Sequence, residues 1–231
     1  MGEGESSPPL SMKVFIATPS YCGLPSPRFL DSLEATEKAL RMRGDDLSFN
    51  LIQGSRIIQT ARNELARKFL ETDSDVLFFI DDDLGWDVKG FLTLIDSQFD
   101  VSCGAYPYRQ TEDWAIVLHT TPEGYPTGFR NWLATADCGA GFLCIRRSVL
   151  EKIKDATPDL AYTENDKACH DFFPQGVKNG RFWGEDFAFC ELWRSLGGKI
   201  WCWPQMTFDH AGKAGNYHEF LMAQPKVSNA A

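Results

Sequence analysis

An apolar run that ends in three consecutive aspartates is the feature that most constrains the fold of this chain. Residues 75–80 read Asp-Val-Leu-Phe-Phe-Ile, and Asp81, Asp82 and Asp83 follow directly. Five apolar residues in six fit a strand covered on both faces, as in a parallel sheet with helices on either side. Ligands of such sheets bind beyond the carboxyl ends of the strands. The run therefore places three carboxylates where a ligand is expected.

Adjacent carboxylates repel one another unless a cation or hydrogen-bond donors lie against them. A hard divalent cation with oxygen ligands meets that need, so the triplet indicates a metal site. Aspartate is also common where strands end, and an acidic turn is the simpler alternative. The long apolar strand that leads directly into the triplet favours the metal site.

The composition sets the class of protein. The chain has 231 residues, of which 43% are hydrophobic and 24% charged, and this predicts one domain with a sizeable core. A net charge of −9 without a basic stripe argues against a nucleic-acid partner. Seven scattered cysteines with no CxxC pair favour a reducing compartment. With no membrane-length apolar run or signal peptide evident, we expect a cytoplasmic protein without a membrane span.

Strand and helix patterns alternate along the first part of the chain. Apolar runs predict strands at residues 13–17, 47–52 and 75–80, and helical spacing predicts helices at about 27–42 and 56–70. This βαβαβ order predicts an α/β fold with a Rossmann-like, mainly parallel central sheet and right-handed crossovers.

The rest of the chain is less regular: residues 106–136 show no clear periodicity, and residues 156–182 are expected to be rich in loops. Residues 1–11 are rich in Gly, Glu, Ser and Pro and are expected to be disordered. The further elements predicted from apolar periodicity are a helix around 91–95, strands at 100–105, 141–145, 200–203 and 206–208, and helices at 147–154 and 187–196.

An acidic pair and an aromatic residue open the last of these helices. Glu185 and Asp186 follow Gly184, and acidic residues are favourable in a first helical turn, so capping is the simpler explanation. In a cleft, the same carboxylates could instead accept a proton from a substrate hydroxyl. Trp183 beside them would offer a stacking surface for a sugar ring, unless it belongs to the core.

Three further positions are candidates for the same site. His210 follows an apolar run and could reach the aspartates, where an imidazole among oxygen ligands favours Mn²⁺ modestly over Mg²⁺; a lone histidine is more often structural. Arg62 could hold the phosphate of a nucleotide, or it is a solvated helical charge. Residues 18–21 end the first strand where a nucleotide base would lie, or they form a plain turn.

These motifs, in this order, resemble a known family. They are Thr-Pro-Ser-Tyr at 18–21, Ala-Arg-Asn at 61–63, Ile-Asp-Asp-Asp at 80–83, Gly-Glu-Asp at 184–186 and His-Ala-Gly at 210–212. Together they look like a nucleotide-sugar glycosyltransferase of the GT-A fold, close to the family 2-like group, over residues 13 to about 212. The family's transmembrane anchor and acceptor domain have no counterpart here, which leaves the acceptor open.

The resemblance implies a role for each motif. It implies one GT-A domain over residues 12–231, with a nucleotide-binding half to about 105, an acceptor half to about 212 and a flexible tail. The implied metal ligands are Asp83, His210 and Asp81. The implied nucleotide-binding residues are Thr18, Pro19, Tyr21, Arg62, Asp81 and Asp82. Asp186 matches the general base of inverting members, and Glu185 and Trp183 would orient the acceptor.

The implied chemistry is transfer of a sugar from a nucleotide-diphosphate sugar to an acceptor hydroxyl. A UDP-sugar is the favoured donor, Mn²⁺ is favoured over Mg²⁺, and the acceptor is a carbohydrate, a lipid-linked group or a protein.

Other functions stay open at this stage. A sugar nucleotidyltransferase would usually carry a Gly-rich, basic loop after the first strand, whereas residues 18–28 contain one Gly and one Arg. A non-catalytic nucleotide- or glycan-binding module of the same fold would need no base. A metal-dependent phosphohydrolase would carry more carboxylates and histidines. A retaining mechanism is a further alternative, because inversion depends on Asp186 alone.

Overall fold

The computed structural model describes residues 11–178 and 180–224, which form a mixed α/β fold. The strands are β1 (Lys13–Ser20), β2 (Asp46–Gln53), β3 (Val76–Ile80), β4 (Leu84–Trp86), β5 (Val101–Cys103), β6 (Ile116–Leu118), β7 (Gly128–Phe129), β8 (Trp132–Cys138), β9 (Phe142–Arg146), β10 (Ala161–Glu164), β11 (Lys167–His170), β12 (Gly176–Lys178), β13 (Arg181–Trp183), β14 (Ile200–Cys202), β15 (Thr207–His210) and β16 (Lys213–Asn216). The helices are α1 (Pro27–Arg43), α2 (Ile58–Leu70), α3 (Val88–Asp96), α4 (Arg147–Ala156), α5 (Glu185–Ser195) and α6 (Tyr217–Ala223), with a 3₁₀ turn at Pro158–Leu160.

A nine-stranded central sheet organises the fold. Its strands lie in the order β2-β1-β3-β9-β5-β14-β8-β6, and β7 pairs with β8. Only β9 and β8 run against the direction of the other seven, so the sheet is mixed but mainly parallel, as the sequence predicts. The parallel order β2-β1-β3 follows from the two crossover helices α1 and α2.

Burial on both faces explains the apolar strand before the aspartates. Every residue of β3 is buried, because β1 and β9 flank it and helices cover it from both sides. Leu77 and Phe79 belong to the core that includes Leu65 and Phe69 of α2. Val76, Phe78 and Ile80 point the other way, into the core shared with Phe29 and Leu40 of α1 and Phe91 of α3. This alternation is the two-residue period of a strand.

A small second sheet lies beyond the aspartates. It consists of β16, β15 and β4, so the strand that follows Asp83 pairs with the strand that carries His210. The β15–β16 hairpin turns through Ala211 and Gly212, which have φ angles of 53° and 92°. A positive φ at both central residues is the geometry of a type I′ hairpin turn. The hairpin fixes His210 next to the aspartate turn.

Strands and a helix form in the regions whose sequence lacks clear periodicity. Residues 106–136 contain β6, β7 and the start of β8, and residues 156–182 contain two hairpins, β10–β11 and β12–β13. After residue 212 the described residues form β16 and α6, and the flexibility expected of this tail stays a prediction. The prediction of disorder for residues 1–11 lies outside the described residues except for Ser11.

The aromatic packing around β3 leads to a test of the core. The ring of Phe78 stacks on Phe91 at 4.5 Å and meets Phe142 edge-on at 4.8 Å. Replacement of Phe78 by Ala leaves a cavity there, so we expect a loss of about 3–5 kcal/mol in the free energy of unfolding, measured by urea denaturation. Phe129→Ala, at a ring that is 54% exposed, should lose about 1 kcal/mol or less. Equal losses for the two variants would contradict this packing.

Candidate functional site

The site forms where the carboxyl ends of β1 and β3 meet the loop before α1. Ser20, the last residue of β1, donates its hydroxyl to the carboxylate of Asp82. The backbone N–H of Ser26, which also caps α1 with its side chain, donates to the carbonyl of Asp82 at 2.7 Å. Asp82 is therefore held by the β1–α1 loop and lies on the side of the site where the nucleotide was predicted.

Arg62 of α2 joins two of the predicted carboxylates. Its Nη2 donates to Asp81 Oδ1 at 3.0 Å, its Nε to Glu185 Oε1 at 3.3 Å, and its Nη1 to the carbonyl of Ala140 at 3.1 Å. The side chain is only 4% exposed. Burial lowers the pKa of Arg62, but Asp81 and Glu185 more than offset this and raise it. One buried cation thus links the end of β3 to the start of α5.

Asp186 lies beside this ion-pair cluster but does not pair with Arg62. Its Oδ1 accepts the N–H of Phe187 at 2.7 Å, so it also serves one of the free amides at the start of α5. Burial, and then the neighbouring charge of Glu185, raise the pKa of Asp186 to about 6. A carboxylate with this pKa is ionised at pH 7 yet more basic than an ordinary aspartate, which suits a general base.

Tyr106 completes the floor of the cluster. It is buried, its hydroxyl accepts the N–H of Gly141 at 3.1 Å, and burial and the charge of Asp81 raise its pKa well above the usual value. A Cβ on Gly141 would lie 2.5 Å from that hydroxyl and 2.6 Å from Asp81 Oδ2. Glycine is therefore required at residue 141 for the backbone of β9 to approach Asp81.

Asp83 and His210 form a second group on the side of the small sheet. Asp83 Oδ2 lies 3.5 Å from His210 Nε2. His210 Nδ1 donates to the carbonyl of Pro107 at 2.7 Å, which leaves Nε2 as an acceptor. Burial lowers the pKa of His210 and keeps the ring neutral at pH 7. A carbonyl that accepts from Nδ1 and an acceptor lone pair on Nε2 are the features of a metal-ligating histidine.

An arginine lies against this pair. Arg109 Nε donates to His210 Nε2 at 3.1 Å, and its Nη2 forms an ion pair with Asp83 Oδ2. Asp83 Oδ2 is buried. The carboxylate oxygen of Asp83 and the imidazole nitrogen of His210 thus contact the same cationic group. Oxygen and imidazole nitrogen are also ligand types that a divalent ion accepts.

The pair alone does not make a complete metal cage. Within residues 11–178 and 180–224, no group of three or more His, Cys, Asp or Glu side chains is arranged to hold a metal ion. Asp81, predicted as a third ligand, is instead paired with Arg62. Two protein ligands still suit an ion that takes its remaining ligands from water and substrate phosphates.

The predicted nucleotide-binding residues are not all exposed together. Thr18 and Pro19 lie within β1, paired with Leu51 and Ile52, and both are buried. Tyr21 is 75% exposed just beyond the strand. The guanidinium of Arg62 donates its hydrogen bonds to other residues of the protein, so Arg62 stabilises the site. Its direct contact with a nucleotide stays a prediction.

The aromatic residues before α5 lie on the β12–β13 hairpin. Trp183 is half-buried under the guanidinium of Arg181, whose central carbon is 4.5 Å from the centre of its ring, whereas Phe182 is exposed. Trp183 is therefore neither buried in the core nor fully exposed, and its role in binding an acceptor stays a prediction.

Two residues of the site, Tyr106 and Arg109, were missed by sequence reasoning. Both lie in the segment after β5 that has no apolar periodicity, and Arg109 meets a residue 101 positions away. A Pro-Tyr-Arg sequence after a short strand carries no motif for such a contact. The sequence gives only an indirect indication of the Arg109 contact, which is the prediction that Asp83 and His210 lie close together.

Comparison with known proteins informs the fold. No protein-family model matches the sequence, and no curated protein matches it. The solved structure of A197 from STIV aligns with 86% of this chain and 85% of its own, at 18% identity and a TM-score of 0.55. The chain shares the fold of A197.

A second solved structure is a more distant match. A glycosyltransferase involved in the glycosylation of the major capsid of PBCV-1 aligns with 64% of this chain and 65% of its own, at 11% identity. Its TM-score of 0.33 is too low to support an inference. As to membranes, the part of the chain that is described contains no helix with both the length and the hydropathy of a bilayer span.

The bracing role of Arg62 can be tested by stability. Arg62→Met keeps an unbranched apolar stem but leaves Asp81 and Glu185 without their counter-ion, so we expect a loss of about 3–5 kcal/mol in the free energy of unfolding. Arg41→Met, which breaks an exposed pair with Glu37 on α1, should lose less than about 0.5 kcal/mol. Similar losses for both variants in urea denaturation would rule out a bracing role.

The raised pKa of Asp186 predicts a pH-dependent gain in stability on its removal. The native state holds the proton more tightly than the unfolded state, so between about pH 4 and 6 the wild type loses stability as the pH rises. Asp186→Asn should therefore be more stable than wild type by about 1–3 kcal/mol at pH 7, with no gain near pH 3.5. Thermal unfolding across this range measures the difference.

Glu64 provides a control of opposite sign. Its pKa is lowered by hydrogen bonds from Arg67, so Glu64→Gln should lose stability at pH 7 and approach wild type as the pH falls through the native pKa. If Asp186→Asn is less stable than wild type at pH 7, burial of the ionised Asp186 carboxylate does not destabilise the protein, and the prediction is wrong.

Proposed function

We propose that this chain is a metal-dependent glycosyltransferase that moves a sugar from a nucleotide-diphosphate sugar to an acceptor hydroxyl. A UDP-sugar is the favoured donor, and inversion is the favoured outcome. The observation that carries the proposal is the meeting of Asp186, whose pKa is about 6, with the strand-end carboxylates at one edge of the sheet. The fold shared with A197 is compatible with this assignment.

Asp83 and His210 would hold the divalent ion, with Mn²⁺ favoured. The ion supplies charge stabilisation to the departing nucleoside diphosphate, which is otherwise a poor leaving group. His210, whose Nδ1 donates to the carbonyl of Pro107, would offer its Nε2 to the ion, and that atom lies 3.5 Å from Asp83 Oδ2. Asp82, which is fixed by Ser20, would face the ribose of the donor.

Asp186 would take the proton of the acceptor hydroxyl as that hydroxyl attacks the sugar carbon. Such proton transfer contributes about two to four orders of magnitude in rate. Glu185 is held beside Asp186 by Arg62, and its charge raises the pKa of Asp186. The β12–β13 hairpin, which carries Trp183 directly before α5, would offer an aromatic surface to an acceptor sugar.

The competing functions account less well for these features. A non-catalytic binding module of the same fold gains nothing from a carboxylate whose burial raises its pKa, since that burial lowers stability at neutral pH. For a sugar nucleotidyltransferase, the segment between β1 and α1 contains a single glycine, Gly23, and no basic residue. Few carboxylates and histidines converge for a phosphohydrolase among the described residues.

A screen of ligands tests the function directly. Thermal unfolding in the presence of nucleotide-diphosphate sugars, with and without Mn²⁺, should show one base and sugar that raise the melting temperature only when the metal is present. The donor identified in this way should be hydrolysed slowly without an acceptor. A screen in which no nucleotide-diphosphate sugar stabilises the protein, with or without metal, would refute the proposal.

Two variants separate the roles in the same assay. Asp186→Asn should keep the metal-dependent stabilisation by donor but lose turnover by about 100-fold or more. Asp83→Ala should lose the metal-dependent stabilisation itself. Asp96→Asn, at an exposed carboxylate paired with Arg43, is the control and should change neither. Full turnover by Asp186→Asn would exclude it as the base.

A further inference from the structure

Arg109 has no role in the proposed reaction, yet its guanidinium lies at the point where the two metal ligands meet. Its Nε donates to His210 Nε2 at 3.1 Å, and its Nη2 pairs with Asp83 Oδ2. These are the lone pair and the carboxylate oxygen that a divalent ion would use. Arginine and metal therefore require the same two atoms.

The electrostatics of the site explain why a cation lies there. The side chain of Asp83 is 16% exposed, and its Oδ2 is buried. A buried carboxylate without a counter-charge is costly, so an internal cation stabilises the protein when no metal is bound. Arginine suits this position because it stays charged at all relevant pH values and its planar fork reaches two acceptors at once.

The other features of Arg109 suit a side chain that can leave. It is 54% exposed, whereas the bracing residue Arg62 is 4% exposed. Arg109 lies in the loop between β5 and β6, which is tied to the small sheet at His210 and Pro107. Release of the guanidinium moves a half-exposed side chain into solvent and leaves the buried core unchanged.

We propose that Arg109 is an internal competitor for the metal site: it neutralises Asp83 and occupies His210 in the metal-free protein and must withdraw before a divalent ion binds. The inference rests on the proposed function, because it takes Asp83 and His210 as the metal ligands. Binding of the ion alone is then weakened by the fraction of molecules in which Arg109 is engaged. An anionic diphosphate that attracts the released guanidinium would favour binding of ion and donor together.

The test measures binding of Mn²⁺ alone, so it does not depend on activity. Titration calorimetry, or the electron paramagnetic resonance signal of free Mn²⁺, gives the dissociation constant without a nucleotide. Arg109→Gln should bind Mn²⁺ about tenfold or more tightly than wild type, since it removes the competitor. In the absence of metal, the same variant should melt at a lower temperature than wild type, because Asp83 loses its counter-charge.

A matched control separates competition from a general effect of charge. Arg28→Gln removes an equally positive, exposed residue that pairs with Asp209, the neighbour of His210, at 3.6 Å. It lowers the local positive charge without touching Asp83 or His210, so its affinity for Mn²⁺ should change much less than that of Arg109→Gln. Equal gains in the two variants would overturn the proposal, because long-range attraction alone would explain both.

The remaining outcomes distinguish this inference from the proposed function. If wild type binds Mn²⁺, Asp83→Asn abolishes that binding and Arg109→Gln leaves it unchanged, the competitor role is wrong while the metal site stands. If wild type and Arg109→Gln both fail to bind Mn²⁺, with or without UDP, the competitor role and the metal-dependent function are both wrong.

Discussion

The candidate site depends on one buried guanidinium. Arg62 reaches from α2 to Asp81 at the end of β3, to Glu185 at the start of α5 and to the carbonyl of Ala140 before β9. Without that cation, the carboxylates from the two separate elements would repel one another as they converge. The acidic side chains lie at the carboxyl edge of the central sheet. Arg62 allows carboxylates from both halves of the chain to lie close together there.

The same arrangement divides the acidic residues into groups with different chemistry. Because Arg62 is engaged by Asp81 and Glu185, Asp186 keeps no direct counter-ion, and burial raises its pKa to about 6. Asp83 and His210, on the side of the small sheet, are instead neutralised by the half-exposed Arg109. In the proposed reaction, the fixed cation Arg62 would brace the general base, and the half-exposed cation Arg109 would exchange with the metal.

How far the sequence predicts this structure depends on the range of the interactions. The β1 to β3 half follows from local periodicity, and the predicted bounds of α1 and α2 lie within two residues of those observed. The order of the motifs along the chain predicts that Asp83 lies close to His210 and that Asp81 lies close to Glu185. The strand β6 was missed because its residues are half-exposed and its pairing with β8 shifts register at Val117 and Leu118. Arg109 contacts His210, which lies 101 residues away on a hairpin, and no local pattern encodes that contact.

The central claim is that Asp83 and His210 bind a divalent cation next to the diphosphate leaving group. Anomalous diffraction from a crystal grown with Mn²⁺ and a nucleoside diphosphate tests it most directly. The account predicts a single strong manganese peak in contact with Asp83 Oδ2 and His210 Nε2, with the guanidinium of Arg109 turned away from both. A peak at any other place on the protein, with Arg109 still seated on Asp83, would contradict it.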